Sequence, residues 1–292
     1  MISPQQLSEL YQKACEVELQ AFKPGNVSVY AEGHDMTVAD FKLSAKVSAA
    51  PLCNPDYSVG EKIFYAVKST REAVACNTNL GIILLCAPLI QAINNVNTGL
   101  ALRQALHQVL ATTTVDDADW VFKAISLASP GGLGRSDQQD VSEKPSVTLT
   151  EAMRLSSAKD RIALQYVTDY RDIFDFAIAI HYNAVRKWGN QEWAAVSVYA
   201  SLLSRFPDSH IERKYGSQYS EMVAAKMSQL SYELSKAESP EHLLPLLYSL
   251  DQALKSQGLN PGTMADMTVA TVLTVFLEDV IKLTLRNKNL PI

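Results

Sequence analysis

The sequence contains few cysteines and no apolar segment long enough to cross a membrane. Its four cysteines form no CxxC pair, and each lies in or beside an apolar stretch. Isolated cysteines of this kind are typical of buried thiols in a reducing compartment, so we expect a cytoplasmic protein. The longest apolar runs, such as IILLCAPLI, are far shorter than the ~20 residues of a transmembrane helix. The N-terminal stretch has no apolar region of the signal-peptide type, so we expect no export signal.

Several common catalytic motifs are also missing. The chain has no GxSxG, HExxH or CxxC, which disfavours a serine hydrolase, a zinc peptidase and a dithiol redox protein. The glycine-rich segment PGGLGRSDQQD follows no strand and does not fit GxxxxGK with Ser or Thr after it, which excludes a P-loop. The net charge of −5 gives no reason to expect binding to nucleic acid or to an anionic membrane.

Helical spacing of apolar residues extends through the whole chain. The only β-rich run, at 26–33, is too short to start a sheet. Capping boxes, in which a hydroxyl residue is followed three positions later by an acid, predict helix starts at Thr37, Ser58, Thr148 and Thr263. Helical patterns cover 3–21, 79–94, 99–112, 116–127, 148–188 with one break, 191–205, 217–237, 241–256 and 263–286. We expect one all-α domain over residues 1–292, a multi-helix bundle whose polar loops converge on one pocket.

The first polar segment that interrupts the helices is KPGNVSVYAEGHDM, at 23–36. Lys23 is a mobile cation that could hold a phosphate, His34 could donate a hydrogen bond, and Asp35 could bind a metal or act as a base. The alternative is an ordinary surface loop with an acid near a helix start.

The second polar segment is NTNLG, at 77–81, which directly precedes the apolar run IILLCAPLI. A helix N-terminus has unpaired N–H groups and a partial positive charge, so it suits an anion. Asn77, Thr78 and Asn79 could cap the helix, and Gly81 would allow close approach of a ligand. The alternative is that one of these side chains caps a buried helix and nothing more.

Three more polar segments follow. PGGLGRSDQQD, at 130–140, could wrap phosphates with its glycines, with Arg135 supplying charge and Asp137 or Asp140 a metal carboxylate, or it could be a linker. FPDSHIERKYG, at 206–216, places adjacent cations in an acidic protein, which indicates either a phosphate clamp or a solvated loop. In GLNPGTMADM, at 258–267, Asp266 has the spacing of a capping-box acid behind Thr263.

Taken in order, these segments resemble the triphosphoribosyl-dephospho-CoA synthase family. The resemblance runs from about Lys23 to Leu277 and is carried by KPGNVS, HDM with FKLSA after it, GEKIFYAVKST followed by NTNLGIILL, DSHIERKYG and LNPGTMADM. It implies an all-helical transferase that joins ATP to 3′-dephospho-CoA and releases adenine. The product of that family is the precursor of the prosthetic group of citrate-lyase-type acyl carrier proteins.

The resemblance also implies roles for individual positions. Asp35, Asp208 and His34 are expected to be catalytic, because carboxylates can stabilise an oxocarbenium-like state and accept a proton from the attacking hydroxyl. A magnesium ion is expected to bind Asp35 and Asp208, with Asp140 as a further ligand. The expected substrate-binding residues are Lys23, Asn26, Ser44, Asn77, Thr78, Asn79, Gly81, His210, Arg213, Lys214, Asn260, Gly262 and Asp266.

Two other functions stay open on the sequence. SHIERKYG is poor in glycine, and PGGLGRSDQQDV with AKDRIALQY after it resembles a divergent branch found in methanogens and methylotrophs. That branch suggests a related enzyme of one-carbon cofactor biosynthesis that uses ATP or another phosphorylated substrate. The other alternative is a non-catalytic helical module that binds a phosphorylated metabolite. We expect small-molecule partners, with no nucleic acid and no membrane, and a homo-oligomer is left open.

Overall fold

The computed structural model describes residues 2–31, 36–96, 100–130 and 139–287, and within these ranges the chain is helical and has no strand. An isolated β-bridge joins Ser28 and Ala31. The all-α prediction is therefore confirmed. The α-helices are, in chain order, α1 (Pro4–Gln20), α2 (Val38–Leu52), α3 (Val59–Val74), α4 (Leu80–Val96), α5 (Leu102–Ala111), α6 (Val115–Ala128), α7 (Leu149–Ser156), α8 (Arg161–Val167), α9 (Ile178–Trp188), α10 (Gln191–Arg205), α11 (Ser209–Tyr215), α12 (Ser220–Lys236), α13 (Leu244–Lys255) and α14 (Gly262–Asn287).

Local capping sets the start of several helices. Thr37, Ser58 and Thr148 each form a complete capping box with the acid three residues later, as predicted. Thr114 forms another one, at the start of α6, which the sequence analysis did not single out. In each case the hydroxyl oxygen accepts an orphan N–H of the first turn and the acid accepts the N–H of the cap residue, so the boundary is determined within four residues.

The predicted helix over 148–188 is broken twice, where one break was expected. Asp160 caps the start of α8 after the first interruption. The second interruption contains Asp169 and Tyr170, both in the left-handed region with φ of 50° and 54°. A π-helical turn over Ile173–Ala177 then leads into α9. Neither residue at the second interruption is a glycine or a proline, so the sequence carries no local signal for it.

The segment 206–216, for which a phosphate clamp or a solvated loop was expected, is largely helical. It forms α11, a helix of seven residues whose N-cap is Asp208. The predicted capping box at Thr263 is wrong, because α14 begins at Gly262 and Thr263 is already inside the helix. The Thr263 hydroxyl oxygen instead accepts the backbone N–H of His210, 3.1 Å away, which joins the beginning of α14 to the beginning of α11.

The apolar side chains of the described helices form one continuous core. Helix α4 is buried along most of its length, and α14 packs against α1, α4 and α10. This packing places the first turn of α14 beside the first turn of α4, so that polar residues far apart in the chain become neighbours. Among the described helices, none combines the length and the apolar character needed to span a bilayer.

Candidate active site

Contacts join four of the five predicted polar segments at the beginnings of α4, α11 and α14. A methyl group placed on Gly81 would lie 2.0 Å from Asp266 Oδ2, so the first turn of α4 touches the Asp266 carboxyl. The Asn26 side-chain amide donates to Asn260 Oδ1 over 2.7 Å, which connects the segment after α1 to the turn before α14. The remaining link is the hydrogen bond between His210 and Thr263 described above.

Asp266 has the most unusual environment of these residues. The residue is half-buried, and no described residue donates a hydrogen bond to its carboxyl. Burial raises its pKa well above the usual range, and the neighbouring carboxyls of Glu18 and Asp208 raise that pKa further, while the Arg213 guanidinium opposes them. These surroundings favour the protonated form of the carboxyl. It was expected to be a capping-box acid as well as a substrate contact, and the capping role is excluded.

Asp208 is committed to the backbone. Its Oδ1 accepts the N–H groups of His210 and Ile211, and its Oδ2 accepts the N–H of Met264 over 2.9 Å. The side chain thus caps α11 and at the same time holds the first turn of α14. Burial raises its pKa to about 6, although the three backbone N–H groups act in the opposite direction. Because both oxygens accept backbone N–H groups, we assign Asp208 a structural role, and its predicted roles as base and metal ligand stay predictions.

The two adjacent cations of α11 have different surroundings. Arg213 forms an ion pair with Asp160 at the start of α8, and its Nε is buried without a partner in the described part of the chain. Lys214 is exposed, and its Nζ lies 5.0 Å from the centre of the Tyr215 ring. Consecutive positions on a helix are about 100° apart, so the two cations leave α11 in different directions, and the expected clamp stays a prediction. Arg213 keeps one donor without a described partner, and its charge lowers the pKa of Asp266.

The three polar side chains of the segment NTNLG have two roles, which are capping of α4 and contact with α2. The Asn77 side chain caps α4 by accepting the N–H of Leu80 over 3.2 Å. The other two pack against α2: Thr78 Oγ1 lies 2.5 Å from Ser44 Oγ, and Asn79 Nδ2 donates to Ser48 Oγ over 3.3 Å. One residue is therefore enough for the cap, and the other two connect helices.

Lys23 was predicted to be a mobile cation that holds a phosphate, and the predicted mobility was wrong. Its side chain is completely buried, and its Nζ donates to the carbonyl oxygens of Glu18, Ala21 and Val27. The Glu18 carboxylate lies 3.2 Å from the same nitrogen. An ammonium group with four oxygen partners and no access to solvent holds the turn after α1 against its own helix. It cannot reach a ligand in this conformation.

Glycines mark two close approaches in the site. Gly262 lies against His210, since a methyl group there would be 2.8 Å from His210 Nδ1. At Gly25, φ is +84° and a side chain would also meet Leu254 and Pro261. Both glycines therefore allow the segment after α1, the start of α11 and the start of α14 to come together.

Several predicted residues lie outside the described part of the chain. These are His34 and Asp35 in the first segment and the glycines and Arg135 of the segment 130–140. Asp140 is described, and its Oδ1 accepts the N–H and hydroxyl of Ser142, which forms a local turn. Within the described ranges no three metal-ligating side chains come together. The expected magnesium site is therefore not assembled by Asp208 or by Asp140 together with described neighbours.

Two acids of this cluster were not predicted from the sequence. Glu18 is buried on α1 beside Lys23, and Asp160 caps α8 while it pairs with Arg213. Glu18 lies inside a helical pattern, where an acidic residue is expected on the solvent-exposed face of the helix. Asp160 lies in AKDRIALQY directly before a helical pattern, and that position could have suggested an N-cap.

The fold and this cluster define an all-helical protein with a half-buried acid and a partly unsatisfied arginine, a site suited to a phosphorylated ligand. Residues 4–284 match the CitG family, described as ATP:dephospho-CoA triphosphoribosyl transferase, and the chain belongs to that family. Its members are transferases whose substrates are ATP and dephospho-CoA, so the resemblance inferred from the sequence is confirmed. No curated protein and no solved structure gives a comparable match.

Proposed function

We propose that this chain transfers the triphosphoribosyl group of ATP to a hydroxyl of dephospho-CoA, with Asp266 as the acid that protonates the departing adenine. The observation that carries this proposal is the Asp266 carboxyl itself: it is half-buried, lies against Gly81, accepts no hydrogen bond from described residues and has a raised pKa. The other aspartates of the cluster cap helices, whereas Asp266 supports no element of the fold.

The reaction needs a group of this kind. The bond between C1′ of the ATP ribose and the base nitrogen breaks, and adenine leaves with that electron pair and takes up a proton. A hydroxyl oxygen of the acceptor bonds to C1′ and loses its proton. The ribose passes through an oxocarbenium-like state, which nearby negative charge stabilises. Asp266 would supply the proton to adenine, and once ionised it could take the proton of the attacking hydroxyl.

The negative charge that favours the ribosyl cation also repels a triphosphate. Glu18, Asp160 and Asp208 all lie near Asp266. Arg213 is the described cation beside them, and its unpartnered Nε is the donor that we assign to a phosphate oxygen. Its other end is held by Asp160, which limits the freedom lost when the phosphate binds.

Magnesium fits this reaction but is not built into the described residues. A magnesium ion on a triphosphate keeps several waters and needs only one or two protein carboxylates. Asp35 remains our proposed ligand, because Asp208 is occupied by the backbone. The ion would neutralise phosphate charge, while the binding and protonation steps above belong to the chain's own residues.

The test is adenine release measured by chromatography from ATP, Mg²⁺ and dephospho-CoA. We expect wild-type turnover, loss of turnover with EDTA, and a fall in kcat of about 10² or more in Asp266→Asn, as is typical for a general acid. Asp119→Asn serves as the control, since Asp119 pairs with Lys123 on the surface of α6. Wild-type kcat in Asp266→Asn would disprove the acid role. Formation of ADP, AMP or phosphate without adenine would point to the one-carbon alternative, and binding without consumption to the non-catalytic one.

A further inference from the structure

A cleft with a volume of about 360 Å³ lies between α1, α2 and the start of α4. Leu19, Phe41, Ala45 and Ile82 provide apolar lining. None of these residues was assigned a role by the sequence, and the cluster around Asp266 does not use them. The volume is within the range of small-molecule sites.

The cleft reaches the candidate active site at one end. Cys15, Glu18 and Asn79 line it. Glu18 is the charged group that raises the pKa of Asp266 most strongly, and Asp266 in turn raises the pKa of Cys15. Asn79 is two residues before Gly81, which touches Asp266. A substrate with one end beside Asp266 could therefore extend the rest of its length into the cleft.

The charges of the lining decide which part of a substrate fits. Glu18 is paired with Lys23, so the carboxylates of Glu9 and Glu16 stand against the two ammonium groups of Lys13 and Lys42. The lining therefore has no excess of positive charge that would hold the triphosphate of the donor. Apolar side chains with polar groups around them suit a long uncharged chain that carries amide groups.

We propose that this cleft binds the pantetheine arm of the acceptor. The inference rests on the proposed function, because dephospho-CoA is the substrate that brings such an arm: an uncharged chain with amide groups and a terminal thiol, joined to adenosine diphosphate. The arm lies along α1 and α2, and the nucleoside end carries the attacking hydroxyl toward Asp266. The donor ATP occupies the side of Arg213.

The decisive variant is Ala45→Trp, which fills the cleft, and the matched control is Ala50→Trp on the exposed side of the same helix. We expect Ala45→Trp to raise the KM for dephospho-CoA by about tenfold or more, with the KM for ATP unchanged and no effect in the control. An unchanged KM for dephospho-CoA would overturn the assignment. A rise in the KM for ATP alone would overturn it too, because the cleft would then hold the donor.

Binding of pantetheine itself provides a readout that does not depend on turnover. In calorimetric titration it should bind wild-type protein and Ala50→Trp but not a folded Ala45→Trp, and in kinetics it should compete with dephospho-CoA and not with ATP. Failure to bind wild-type protein would overturn the cleft assignment whatever the variants do. Binding of pantetheine by a wild-type protein that releases no adenine would support the cleft and reject the proposed function.

Discussion

Gly81→Ala tests the link between α4 and the acid of the site. The added methyl group would lie 2.0 Å from Oδ2 and 2.6 Å from Cγ of Asp266, and 2.8 Å from Cδ1 of Ile162. Such distances are far inside van der Waals contact, so the Asp266 side chain must rotate or α14 must shift. Either response moves the carboxyl away from its present position.

The expected magnitudes separate stability from activity. Alanine is favoured over glycine inside a helix by about 1 kcal/mol, and overpacking of a tight site costs about 1–3 kcal/mol. We therefore expect the free energy of unfolding of Gly81→Ala to change little, by about 2 kcal/mol at most. Displacement of a catalytic group by about 1 Å can cost about 10² in rate, so kcat for adenine release should fall by that order.

A double-mutant cycle with Asp266→Ala supplies the control. Without the carboxyl group the new methyl group still meets the terminal methyl of Ile162, which can rotate, so Gly81→Ala should destabilise the protein less in that background. The two substitutions should therefore couple by about 1 kcal/mol or more. Urea unfolding monitored by circular dichroism measures the stabilities. Normal kcat in the single variant, or equal destabilisation with and without the carboxyl, would refute the placement of Asp266 against α4.

Three further predictions concern the buried charges. Asp208→Ala should lower the free energy of unfolding by about 2–4 kcal/mol in urea, because it removes an N-cap and leaves a buried N–H of α14 unpaired; unchanged stability would contradict the structural role. Lys23→Met should destabilise the protein by about 3–5 kcal/mol, since it strands the Glu18 carboxylate, and a selective rise in the KM for ATP in a fully stable variant would restore the phosphate role. Because the pKa of Asp266 is raised in the folded state, its contribution to stability is present below the unfolded-state pKa and is lost as pH rises through the folded-state value. The Tm of Asp266→Asn should therefore exceed that of wild type by a margin that grows as the pH is raised. A Tm difference that stays constant with pH would show that the pKa of Asp266 is not perturbed.

Much of the helical architecture is encoded over short distances. Capping boxes at Thr37, Ser58 and Thr148 connect residues three positions apart, so their geometry follows once the first turn forms. The family could also be recognised, because the ordered polar segments are a property of the sequence. The same local pattern gave a wrong prediction at Thr263. There the N–H of Met264 donates to the carboxylate of Asp208, the N-cap of α11, and not to a residue of its own first turn.

The roles of individual polar residues depended on contacts between distant parts of the chain. Lys23 looks mobile in a Lys-Pro-Gly turn and is buried because Glu18 and three carbonyl groups surround it. Asp266 looks like a cap and is left without a hydrogen bond from described residues because α14 packs its first turn onto Gly81. Composition and spacing determined the all-helical fold and its family, whereas only tertiary packing decided which acid supports a helix and which is left for chemistry. The reason is physical: a cap needs a neighbour within one turn, but burial and the approach of other charges depend on the whole bundle.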